Sequence, residues 1–218
     1  IDGCLEKKRL HDQEELYLRQ IENYNLNLEA LVREQVLEIT EAQHAVIFAM
    51  AKLAEARDLE TGEHLHRVAE YCKLLSERLS LLPKYTSLID DNFIKNIYAA
   101  SPLHDIGKVG IPDRILQKRG KLTAEELAAM KTHATTAAET LREVYQKHPN
   151  NHFVRVGIEV AESHHEKWDG TGYPYGLAGE NIPLAGRIIA LADVYDALTT
   201  QRYYKEAFSH SNSRVIIM

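Results

Sequence analysis

Cysteine is scarce: Cys4 and Cys72 are the only two in 218 residues, and they belong to no metal-binding or redox spacing. That excludes a disulfide-stapled scaffold and a thiolate metal centre, and fits ordinary thiols in a reducing cytoplasm. Long apolar runs are also missing. The longest uncharged one, Ala45 to Ala51, is far too short to span a bilayer, and no signal-peptide pattern opens the chain. Basic stretches are absent, and 26 Lys+Arg against 32 Asp+Glu leave a net charge of −6. This balance argues against duplex DNA or RNA as a partner. An anionic substrate would need a local positive site, and bound metal ions are one way to make it. What the composition does hold is a folded protein's 44% hydrophobic and 27% charged residues, and an unusual 11 histidines.

Glycine and proline are absent between Cys4 and Leu59, and that stretch reads as one long helix. Leu10, Tyr17, Ile21, Tyr24, Leu28 and Leu31 follow a heptad stripe interrupted by Glu14. Val32, Val36 and Ile39 continue a shifted stripe, which places a stutter near Leu31. A helix with one such stripe cannot bury it on itself. The pattern predicts a parallel homodimer coil that relays signals from an upstream domain; the alternative is a helix packing on its own domain. Residues 1–55 form this dimerisation helix and residues 56–218 a compact domain. Helical spacing runs from Glu63 to Leu82, from Asp90 to Pro102, from a Thr123/Glu126 capping box toward Tyr145, from Phe153 to Glu166, and from Leu184 to Thr200. Trp168 to Asn181, rich in glycine, is an ordered loop. The fold class is all-α. Because the chain opens on Ile1 and closes on apolar Val215 to Met218, we expect an excised piece with a further helix beyond it.

Several polar residues sit where burial is costly. His104-Asp105 follows an apolar stretch, with Lys108 three positions on. Asp193 lies inside Ile188 to Val194, where a carboxylate needs a partner or a cation, and Asp196 is roughly on the same face. Glu60 and His64 are spaced i, i+4; His133 follows the capping box; His164-His165 are adjacent near a helix end. Taken singly, each has a plain reading: a structural His-carboxylate pair, a carboxylate capping another helix, a satisfied core histidine, two surface histidines.

Together the order is specific. Glu60-Thr61-Gly62-Glu63-His64, His104-Asp105-Ile106-Gly107-Lys108, His133, His164-His165, Trp168 through Gly172-Tyr173-Pro174, and Asp193 closely resemble the HD-GYP family, HD-domain phosphohydrolases that degrade cyclic di-GMP. The resemblance runs from about Ala56 to Ser209. It implies an all-α HD-type bundle. It also implies that His64, His104, Asp105 and Asp193 bind one metal, and that Asp105 bridges to a second held by His133, His164 and His165. Glu60 matches the extra ligand of members with three metals. Such a nitrogen and oxygen donor set suits divalent iron or manganese. Two ions against two carboxylates would leave the site about +2 inside an acidic protein. Lys108 and Asp105 become the catalytic residues, with Lys108 meeting the phosphate. Tyr173, Asp196, Arg202 and Lys205 are placed to contact the dinucleotide. The Gly172-Tyr173-Pro174 loop shapes the pocket wall and offers a docking surface for a signalling partner, or simply packs over the helices.

This chain departs from the family pattern in Tyr203-Tyr204, where many members have a proline, and in Ala137, where glycine is common. The substrate implied is cyclic di-GMP, cut to linear pGpG or GMP. The competing readings are a non-catalytic sensing module, a nucleoside-phosphate hydrolase, and an enzyme for hybrid cyclic GMP-AMP.

Overall fold

The computed structural model of the protein describes residues 2–57, 63–201 and 207–218. Among the described residues it is all-α, with eight α-helices, three short 3-10 turns and no strand. Helix α1 (Asp2–Glu55) is continuous for 54 residues, as expected where nothing interrupts its hydrogen-bond ladder. The chain divides into two units, residues 1–46 and 47–218. In the first, the stripe residues Leu10, Tyr17, Ile21, Tyr24, Leu28 and Leu31 are all exposed.

The second unit is a helical bundle. The last turns of α1 enter it through buried Ala51, Ala54 and Glu55. Helix α2 (Glu63–Ser80) buries His64, Leu65, Val68, Ala69, Cys72 and Ser76, one face at helical spacing. Each large apolar side chain there contributes about 1.5–3 kcal/mol by leaving water. The core joins Val68 and Cys72 to Ile97 and Ala100 of α3 (Asp91–Ala100), Val156 and Val160 of α6 (His152–Ser163), and Ala185, Ile188, Ile189 and Ala192 of α7 (Leu184–Thr199). Burial raises the Cys72 thiol far above its ordinary range, so it is an inert core residue. The side chain of Cys4 lies outside the described residues.

Helix boundaries differ from the sequence expectation where proline or a cap intervenes. Helix α3 stops at Ala100 and tightens into the 3-10 turn Ser101–Leu103, because Pro102 has no N–H to continue the ladder. Helix α6 ends at Ser163, three residues before the expected Glu166. The capping box forms: Thr123 accepts from the Glu126 amide while Glu126 reaches back to the Thr123 amide, opening α5 (Ala124–Lys147). Two short helices fall where the pattern predicts none: α4 (Asp113–Leu116) and α8 (His210–Ile217), the latter capped by Ser209. Helices α6 and α7 approach closely because Gly186 lacks a side chain; a Cβ there would lie 2.4 Å from Ser163 Cβ. That contact sits one residue before His164.

Candidate metal centre

Five segments bring seven candidate ligands together. His64 comes from the first turn of α2. His104 and Asp105 sit between two 3-10 turns, Ser101–Leu103 and Ile106–Gly110. His133 is on α5 and Asp193 on α7. His164 and His165 leave the C-terminus of α6. Neighbouring residues on an intact helix point about 100° apart. Here the ladder stops, His164 is the cap, and both rings reach one cluster.

The donors fall into two groups, each close enough to hold an ion: Asp105 with His133, His164 and His165, and His64 with His104 and Asp193. Asp105 faces both. Its Oδ1 lies 3.4 Å from His133 Nε2 and 3.7 Å from His164 Nε2, while Oδ2 lies 3.4 Å from His104 Nε2.

The chain aims the imidazole rings by the same device. Nδ1 of His104, His133 and His164 pairs with the carbonyl three residues back, at Ser101, Met130 and Ala161, at 2.7–2.9 Å. Those carbonyls accept, so Nδ1 carries the proton and Nε2 is turned to the site with its lone pair. His133 Nε2 and His164 Nε2 then face one another at 3.2 Å. Two lone pairs at that distance repel unless a cation serves both. His104 Nε2 and Asp105 Oδ1 are buried without a hydrogen bond. Orphaned buried polar atoms are costly, and a metal ion satisfies them. The donor set therefore fits a divalent cation.

The electrostatics agree. Burial works against charge on His104, but the Asp105 carboxylate outweighs it and raises the imidazole to about 9, so the site draws positive charge to this point. Burial also opposes the Asp105 carboxylate, yet His104, His164 and Lys108 hold it well below the usual range. Burial, then His164 and His133, drive His165 down to about 2, leaving a neutral ligand.

The remaining candidates separate. Lys108 is mostly buried, 14% exposed, with Nζ 2.8 Å from Asp105 Oδ2. The Tyr173 ring lies tilted against the His165 ring, centroids 4.5 Å apart, and the Lys131 ammonium sits over the Tyr173 ring, 4.8 Å from its centroid. Gly172 is forced by a close approach: a Cβ would meet the Lys167 amide nitrogen at 2.4 Å and His165 O at 2.6 Å. Asp196 differs from the expectation of a dinucleotide contact. It is buried, its Oδ2 lies 2.7 Å from His64 Nδ1, and Arg67 grips both its oxygens at 2.6 and 2.9 Å. It orients a candidate ligand, because His64 turns its Nε2 to Asp193, 3.4 Å away. Glu60, Arg202, Lys205 and Tyr203-Tyr204 lie outside the described residues.

The supporting roles of three residues are not readable in the sequence. Arg67 was indistinguishable from a surface arginine, although its i+3 spacing from His64 was a signal. Buried Glu166 accepts from the Tyr175 and Leu177 amides and so shapes the loop after the histidine pair. Gly107 lets the Ile106–Gly110 turn lie flush on α5; a Cβ there would be 2.0 Å from His133 O.

The sequence profile described as HD domain matches residues 49–217. The chain belongs to the HD domain family. The HD-GYP resemblance agrees with its relatives. A cyclic di-GMP phosphodiesterase of Vibrio cholerae is 46% identical over 204 residues, covering 90% of this chain and 42% of the relative. A cyclic di-GMP phosphodiesterase of Thermotoga maritima is 37% identical, covering 94% of this chain and 52% of the relative. A 3′3′-cGAMP-specific phosphodiesterase 2 of Vibrio cholerae is 40% identical, covering 92% of this chain and 36% of the relative. This HD domain chain thus spans about half or less of the length of these relatives. None of its described helices is long and apolar enough to cross a membrane.

Proposed function

We propose that this chain is the catalytic part of a cytoplasmic, metal-dependent phosphodiesterase that hydrolyses cyclic di-GMP. The observation that carries the reading is two ligand groups side by side, one containing Asp105 and the other meeting its second oxygen at His104, 3.4 Å away, with the bare Nε2 atoms of His133 and His164 turned to each other. His64, His104, Asp105 and Asp193 would hold one ion and Asp105, His133, His164 and His165 a second, iron or manganese by donor type, with Glu60 adding a third. Bound there, the ions would acidify a water and neutralise phosphate charge. The protein's own residues do the rest. Lys108 moves its ammonium from Asp105 toward the phosphoryl oxygens, where charge grows in the transition state. Tyr173, beside His165, would contact the dinucleotide, and Arg202 and Lys205 would supply donors suited to a guanine edge. One P–O bond to the 3′ oxygen breaks, one to the water oxygen forms, and a proton ends on the departing 3′ oxygen.

A second reading, hybrid cyclic GMP-AMP as substrate, is favoured by the similar 3′3′-cGAMP-specific relative. The exposed Trp168 and Tyr175 beside the Gly172-Tyr173-Pro174 loop support a signalling-protein docking surface there. The test is to incubate metal-loaded protein with each cyclic dinucleotide and with nucleoside phosphates, and to resolve the products. We expect pGpG or GMP from cyclic di-GMP at the highest kcat/KM. Turnover of nucleoside phosphates alone contradicts the reading.

A further inference from the structure

The turn that carries Lys108 is held from two sides. On one side Gly107 lies against the His133 carbonyl, with no room for a Cβ. On the other stands Arg57, two residues past the end of α1. The chain is still winding there, with the Ala56 amide bonded to Lys52 O and the Arg57 amide to Ala54 O. The Arg57 guanidinium reaches across more than fifty positions of sequence. Its Nη1 donates to Val109 O at 2.7 Å and, at a long 3.5 Å, to Lys108 O. Its Nη2 donates to Ile111 O at 3.0 Å and to Asp113 Oδ1 at 2.6 Å. The Arg57 carbonyl in turn accepts from Gln117 Nε2 at 3.3 Å.

A five-residue 3-10 turn leaves its last carbonyls outside its own ladder. Guanidinium is the side chain suited to collect several of them, since its donors are fixed in a planar fork and its charge is permanent. The residues it grips begin at Lys108, three positions after Asp105. Lys108 is mostly buried, so its reach depends on where this backbone sits rather than on free rotation in solvent. Asp113, at the first position of α4, pairs with the same guanidinium nitrogen that donates to Ile111 O.

We infer that Arg57 is a positioning residue for Lys108, tying the end of α1 to the turn that presents the phosphate-facing ammonium. A displacement of the last turn of α1 passes through one side chain to the catalytic lysine. The inference rests on the phosphate role proposed for Lys108.

The test uses the full chain, metal-loaded, with cyclic di-GMP as probe. Arg57→Ala and Arg57→Lys are each made in the native and the Lys108→Ala backgrounds. Four quantities are read: metal content, kcat, KM, and hydrogen exchange at the Lys108 and Ile111 amides, which close the turn on Asp105 O and Lys108 O. Arg57→Ala is expected to keep its metal, lose roughly tenfold or more in kcat with a smaller change in KM, and exchange faster at both amides. Arg57→Lys, which can reach one carbonyl, recovers part of each. In the Lys108→Ala background, Arg57→Ala costs less than about twofold, because the group it positions is gone. Unchanged kcat and exchange overturn the inference, and so does an equal loss in both backgrounds, the mark of a purely structural arginine. If Arg57→Ala does not fold, Arg57→Lys carries the same comparison. If Lys108→Ala turns over like the native protein, the phosphate role of Lys108 fails, and the exchange rates alone uphold or overturn the tie to the turn.

Discussion

His64 is held at both ends of its imidazole by carboxylates from one helix, Asp196 at Nδ1 and Asp193 at Nε2. The two have different work because of what else they touch. Arg67 and His64 hold Asp196 down at about 2 despite its burial, so it stays ionised and is already fully paired. Asp193, half-buried, keeps an oxygen for an ion. Asp196→Ala is therefore expected to weaken divalent-metal affinity by about 10–100-fold while the fold persists, measured by competition with a chromophoric chelator. Affinity equal to the native protein's contradicts the orienting role. For Lys108→Ala the expectation is opposite in kind: metal content stays and turnover falls by on the order of tenfold to a thousandfold. Loss of metal with that change would make Lys108 a structural counter-charge to Asp105. The seven clustered residues were legible because His-Asp and His-His pairs in apolar surroundings are rare enough to recognise in order. Asp196 was misread because its distance from His64 in sequence hides the pairing that removes it from the pocket.

Four of the seven clustered residues lie outside the regular helices. His104 and Asp105 stand between two 3-10 turns, and the histidine pair stands where α6 stops. The long helices were legible from their apolar spacing, the absence of breakers in α1 and the capping box of α5. The 3-10 turns and α4 were not, since three to five residues carry no periodicity. Close approaches are equally silent in a sequence: Gly107, Gly172 and Gly186 look like any glycine until the backbone across from each is known. Gly107→Ala provides the check. Its Cβ would collide with the carbonyl of His133, so the turn must lift from α5 and separate Asp105 from His133. We expect loss of bound metal and a fall in turnover of about a hundredfold or more, even where circular dichroism stays helical. Full metal and activity in Gly107→Ala would show that the turn and α5 move together.

The whole chain pairs a bundle with a long helix whose apolar stripe is exposed over residues 10–31. Covering that stripe with a second copy gains about 25 cal/mol per Å² of apolar surface, less the cost of ordering. We propose a homodimer through residues 1–55, and Ile21→Glu with Leu28→Glu is expected to give a monomer by light scattering with metal still bound. A double variant that stays dimeric at micromolar concentration moves the contact to the bundle. The centre of the account, however, is one carboxylate serving two ions. Elemental analysis of the native protein and of Asp105→Ala, both reconstituted anaerobically with iron or manganese and assayed on cyclic di-GMP, tests it most directly. The expected result is two or three ions per chain in the native protein, and joint loss of stoichiometric metal and turnover in Asp105→Ala. An Asp105→Ala protein that keeps its full complement of metal and its turnover would contradict it.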